Sequence, residues 1–112
     1  MIDSYAFGQI VVDGRTYTSD IIIFSDRIKG NWWRREGHRL HPEDIEEMVN
    51  EKPEVIIVGR GYSGLMEIPS ETADHLKAKG IELIAENTGK ATELYNKLSK
   101  SRKVVAVLHL TC

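Results

Sequence analysis

Residues 53–61 read Pro-Glu-Val-Ile-Ile-Val-Gly-Arg-Gly. Proline stops any helix before it, because it has no amide to donate and its ring clashes with the preceding turn. Residues 54–58 are then a short apolar strand of the kind that runs inside a parallel sheet covered on both faces. A glycine-rich loop follows at residues 59–64. Further along, Ser70 is a good helix cap, and Gly80 is the residue type that commonly ends a helix. Residues 81–85 form the next strand. Thr88 is read as the cap of a second helix reaching about Lys100, with Ala91, Leu94, Tyr95 and Leu98 on one face. Residues 104–110 form the last strand. Strand, helix, strand, helix, strand implies right-handed crossovers and a mainly parallel sheet with helices packed on it.

The first half has a different rhythm. Residues 5–12 alternate and are rich in aromatic and branched side chains, and residues 15–17 look extended again. Asp13-Gly14 between them is a strong hairpin signal. Residues 20–24 read as a buried strand, Lys29-Gly30-Asn31 as a turn, and residues 32–35 as a further short strand. Pro42 fits the first position of a helix reaching about Asn50, with Ile45, Met48 and Val49 as its apolar stripe. The first half is therefore a hairpin-rich cap on the parallel unit. With 112 residues and no linker, repeat or low-complexity segment, the whole chain is expected to be a single α/β domain.

Composition excludes several classes. A chain 41% hydrophobic and 29% charged is too apolar to be disordered. A net charge of -2, with acidic and basic residues interspersed, offers no footprint for nucleic acid. No stretch has the roughly 20 apolar residues of a membrane span. The opening residues lack the basic and apolar regions of a secretory signal. One cysteine, Cys112, can form neither an internal disulfide nor a cysteine-based metal cluster. The expected address is cytoplasmic, without a cofactor or metal.

The chain resembles the Mth nine-three-eight-like family of hypothetical proteins along nearly its whole length. The resemblance rests on Tyr5-Ala6-Phe7-Gly8 with Asp13-Gly14, on Asp20-Ile21-Ile22-Ile23-Phe24, and on Trp33. It continues through Gly59-Arg60-Gly61, Thr88 with Ala91, Tyr95-Asn96-Lys97-Leu98, and Leu108-His109-Leu110-Thr111-Cys112. Eukaryotic relatives include an adipogenesis-associated protein and the third assembly factor of mitochondrial complex I. The resemblance implies three layers: a mixed, mainly parallel five-stranded sheet, with helices on one face and a small β-hairpin layer on the other. It implies an assembly or regulatory role and carries over no catalytic motif. Relatives often have a small polar residue where this chain has Arg60.

Two sites stand out. The first is a rim made by residues 59–64 and residues 87–90, both of which follow strands. Open α/β sheets bind ligands at that edge. Gly59, Gly61, Tyr62, Thr88 and Gly89 would offer backbone amides to a small anion, and Arg60 a guanidinium. Gly59-Arg60-Gly61-Tyr62-Ser63-Gly64 has the spacing of a dinucleotide fingerprint but not the context, since residues 66–69 separate it from the next helix. It also lacks the Lys-Ser/Thr pair of a phosphate loop. The plainer reading is a tight connection beside a capped helix.

The second site is Trp32 and Trp33 with Arg34 and Arg35. Adjacent strand residues face opposite ways, so one indole should pack inward and the other stand out among arginines. That is the composition of an interface hot spot, for a protein partner or a second copy of this chain. His109 and Cys112, three apart on an extended strand, should face opposite sides and make no nucleophilic pair. His38 and His41 are read as solvated. The leading function is a noncatalytic interaction or assembly module. The alternative is binding, or an enzyme acting on, a small anionic ligand at the rim.

Overall fold

The computed structural model describes residues 1–112. Its centre is a five-stranded mixed sheet built on two strands that the sequence marks by apolar runs, β6 (Val55–Arg60) and β8 (Val104–His109). They pair in parallel. Beyond β6 lies β7 (Glu82–Glu86), also parallel, and beyond β8 lie β4 (Ile21–Ile23) and β5 (Ile28–Lys29), each antiparallel to its neighbour. The order is β5-β4-β8-β6-β7.

Because β-strand side chains alternate, the apolar runs feed two separate cores. On one face, Ile56, Val58, Val105 and Val107 meet Leu40, Ile45, Met48, Met66 and Leu76, brought by α1 (Glu46–Asn50), α2 (Ser70–Ala78) and the loops beside them. On the other, Val55, Ile57, Ala106 and Leu108 meet Ala91 of α3 (Thr88–Leu98). They also meet Ile2, Ile10 and Val12 of a three-stranded antiparallel sheet made of β1 (Ile2–Ala6), β2 (Gln9–Val12) and β3 (Arg15–Tyr17). The expected α/β architecture and its small β-layer are present. The third helix shares its face with that layer, and Leu94, Tyr95 and Leu98 pack into the same core.

Some local readings needed correction. Residues 5–12 are not one strand but two, split by a turn at Gly8, whose φ is +78°. Residues 32–35 form no strand: Trp32 donates its amide to Asp20 O, and the chain then loops away. The helix expected from Pro42 opens as a 3-10 turn at Pro42–Ile45 before α1. Thr88 is not the cap of α3. Asn87 is, its Oδ1 accepting the Lys90 amide, and Thr88 turns inward as the first helical residue. Pro69, not Ser70, occupies the cap position of α2. The Asp13-Gly14 turn is as expected, with φ of 49° and 78° as a tight primed hairpin turn requires.

Candidate functional site

The register of the central sheet places three strand ends together. Arg60 pairs with His109 across β6 and β8, and Ile21 pairs with Leu108 across β4 and β8. Asp20, the residue before β4, therefore arrives beside His109 at the carboxyl end of the parallel strands.

Asp20 Oδ1 accepts the Leu110 amide at 2.8 Å. Its Oδ2 accepts from Arg34 Nη1 at 2.6 Å and lies 2.8 Å from His109 Nδ1. An ionised carboxylate can only accept, so Nδ1 carries the proton. The 3.2 Å approach of Arg34 Nη2 to the same Nδ1 is then donor against donor, tolerated because the Arg34 and His109 side chains both donate to one carboxylate, Arg34 through Nη1. Arg34 Nη2 donates instead to Gly37 O at 2.7 Å. The Arg34 and His109 side chains are almost wholly buried, at 5% and 7% exposure. Burial works to raise the Asp20 pKa, but the hydrogen bonds from His109, the Leu110 amide and Arg34 outweigh it and hold the carboxyl at about 2. Two buried nitrogens, Arg34 Nε and His109 Nε2, have no partner.

The glycine loop and Thr88 lie at this same end, but their groups are turned on one another. The Thr88 hydroxyl donates to His109 O at 2.5 Å and accepts the Gly61 amide at 2.9 Å. The Thr88 amide donates to Gly61 O at 2.9 Å, and the Tyr62 amide to Thr111 O at 2.8 Å. Arg60 Nε donates to Met66 O at 2.8 Å. Gly89 accepts the Thr92 hydroxyl on its carbonyl. Gly59 and Gly61 are needed because neighbours press against them. A Cβ on Gly59 would lie 2.9 Å from both Leu108 Cδ2 and Thr88 Oγ1, and one on Gly61 2.7 Å from Thr111 O. The glycines thus serve close packing of β6, α3 and the end of the chain. Above them Tyr62 stays exposed, in edge contact with Phe7 at 5.8 Å between ring centroids.

The tryptophan loop divides as expected, although no strand is involved. Trp32 is 7% exposed and Trp33 77%. Arg34 does not surround Trp33 with charge: its guanidinium sits 4.8 Å from the Trp32 ring centroid and is spent on Asp20. Arg35 remains at the surface, its amide held by Asp44 Oδ1 and its side chain 3.4 Å from Glu43. A recess of about 470 Å³ opens beside Trp33, rimmed by Lys29, Arg35, Glu43 and Glu47. His41 is not solvated but buried, 2.6 Å from Glu36 through Nε2. His38 is exposed, with its ring edge-on to that of His109. Cys112 is exposed while His109 is buried.

The sequence reading missed Asp20 and His109 as partners. The available signal was a polar residue bordering each of two otherwise apolar strands, but only the register shows that the two borders coincide.

The match to known proteins is now decisive for family. A family model described as a protein of unknown function, DUF498/DUF598, matches residues 2–109. This chain belongs to the DUF498/DUF598 family. Three solved structures of similar shape align with this chain along nearly their full lengths. A conserved hypothetical protein, PH1505 from Pyrococcus horikoshii OT3, is 28% identical with a TM-score of 0.86, over 100% of this chain and 99% of the other. The protein described as MT938 is 29% identical with a TM-score of 0.81, over 100% and 98%. A protein described as an outer membrane protein from Bartonella henselae is 28% identical with a TM-score of 0.83, over 99% and 94%. A Bordetella pertussis protein described as an Mth938-like domain shares the fold. In this DUF498/DUF598 chain, no helix is long and apolar enough to cross a membrane.

Proposed function

We propose that this DUF498/DUF598 protein is a noncatalytic interaction or assembly module that engages a protein partner through the loop carrying Trp33. The observation that carries the reading is a fully presented indole on a segment pinned at every neighbour. Trp32 is in the core, Arg34 is buried on Asp20, and the Arg35 amide is fixed by Asp44. A rigid aromatic anchor loses little entropy on docking, and its mixed-charge rim excludes water from the contact. The test is quantitative capture by the tagged protein, comparing the parent with Trp33→Ala and Tyr62→Ala. Loss of a captured partner with Trp33→Ala alone, at unchanged melting temperature, supports the reading. Identical capture by all three overturns it.

The alternative, a small anion at the carboxyl edge, draws support from Arg34 Nε, a buried donor without a partner, since buried polar groups are normally partnered. Its centre would be the Arg34 guanidinium and not Arg60. The Gly61, Tyr62 and Thr88 amides, expected to meet an anion, already donate within the protein. Titrating phosphate at constant ionic strength while following the His109 ring nitrogens by NMR tests it, and unmoved resonances reject it.

A further inference from the structure

Sheet edges expose unpaired amides and carbonyls, and proteins usually shorten, cap or cover them. Three of the four edges in this protein are managed in that way. β5 has two residues and β3 three. β1 is capped by a side chain: Asn96 accepts the Ile2 amide on Oδ1 and donates to Ile2 O through Nδ2, both at 2.8 Å. The fourth edge, β7, is five residues long and pairs only with β6. The Glu82 amide donates to Glu54 O, and in a parallel ladder this fixes the alternation. Glu82, Ile84 and Glu86 turn their backbone groups to β6, so those of Leu83 and Ala85 point outward. The α2 and α3 crossovers flank the two faces of β7, and Leu83, Ala85 and Ile84 pack against the cores there, so the strand is held straight and ready to pair.

We propose that the outer edge of β7 accepts an extended segment of another protein, with Lys or Arg at two positions four residues apart and an apolar residue midway. The side chains of Glu82, Ile84 and Glu86 lie on one face of the strand, and their cross-strand neighbours must match them. Both glutamates are exposed. Glu82 shares one guanidinium, Arg102, with Glu54, which leaves an excess of negative charge at that end. A second copy of this chain is the wrong occupant. Antiparallel self-pairing centred on Ile84 would set Glu82 opposite Glu86 twice, and directly opposed like charges destabilise a ladder. The surface goes beyond the Trp33 docking reading, because the recess beside Trp33 includes Lys29 of β5, the far edge of the same sheet.

The probe is the blocked peptide Lys-Thr-Val-Thr-Lys, compared with Glu-Thr-Val-Thr-Glu, titrated at millimolar concentration into the whole protein with amide exchange read by NMR. The Leu83 and Ala85 amides are expected to exchange rapidly in the free protein and to slow at least several-fold with the basic peptide. The acidic peptide should bind about tenfold more weakly, the combined effect of two cross-strand charge pairs. Glu86→Lys, which removes no ion pair of the fold, should narrow that gap. Equal response to both peptides, no slowing at Leu83 and Ala85, or slowing that grows with protein concentration alone would overturn the proposal. The last of these would mean that a second copy pairs there. Retention of the Trp33-dependent partner by Glu86→Lys separates this edge from the Trp33 surface.

Discussion

Asp20 shows how much one residue can hold. Its carboxylate fixes the start of β4, the loop through Arg34 and the end of β8 through His109 and Leu110. Its carboxyl titrates near 2 in the folded chain, against an ordinary value of 3.8. That difference stabilises the fold by about 2 kcal/mol at neutral pH, and the stabilisation is lost as pH falls from about 4 through about 2. Asp20→Asn should cost about 3 kcal/mol at neutral pH, because it leaves a buried guanidinium without its counter-charge. It should also flatten the acid limb of stability between those values. Urea denaturation at a series of pH values measures both, and an unchanged acid limb would show that the carboxylate is not the titrating group. Gly61 poses a different demand. Its φ of +104° and the 2.7 Å approach to Thr111 O leave no room for a methyl group. Gly61→Ala should destabilise by about 2–4 kcal/mol, whereas Gly37→Ala, with open space around it, should change stability by under about 1 kcal/mol. The sequence announced that glycines were needed here but not why. A ligand's approach and a neighbouring chain's approach leave the same residue type, and only the positions of Thr88, Leu108 and Thr111 tell them apart.

Elements were legible where burial dictated their composition. β6 and β8 are apolar on both faces because cores lie on both sides, and that pattern has one reading. The Asp13-Gly14 turn was legible because few residue pairs take two positive φ angles. The segment around Trp32 was misread because adjacent aromatics have strand propensity, while the force that shapes it is a buried ion pair with a residue fourteen positions away. Thr88 was assigned the capping role from residue type, yet Asn87 caps and Thr88 bonds across to β8. Substitutions in the loop should therefore split sharply. Trp32→Ala empties part of a core shared with Leu40 and Met48 and should cost about 3–5 kcal/mol. Trp33→Ala should change stability by less than about 0.5 kcal/mol, as exposed sites do. Equal losses in chemical denaturation would mean that Trp33 also packs, and its docking role would fall.

At the scale of the molecule, the two halves read from the sequence share one sheet and both cores. β8, from the last residues of the parallel half, is flanked by β4 from the first half and β6 from the second. The core that holds α3 also holds Ile2, Ile10 and Val12, and the opposite core draws on Trp32, Leu40 and Met48. A fragment of residues 54–112 would lose β4 from the edge of β8 and uncover apolar surface on both faces of the sheet. Conformational entropy opposes folding by about 1–2 kcal/mol per residue before side chains are counted, and the fragment would oppose it with two half-cores. The intact chain should therefore unfold in one transition, with near- and far-ultraviolet circular dichroism changing together, and limited proteolysis should release no protected product of residues 54–112. Expressed alone, that fragment should lack a cooperative melt. A folded fragment would mean that the parallel unit is self-sufficient and that the first half is an appendage, with Asp20 and Arg34 then dispensable for the position of His109.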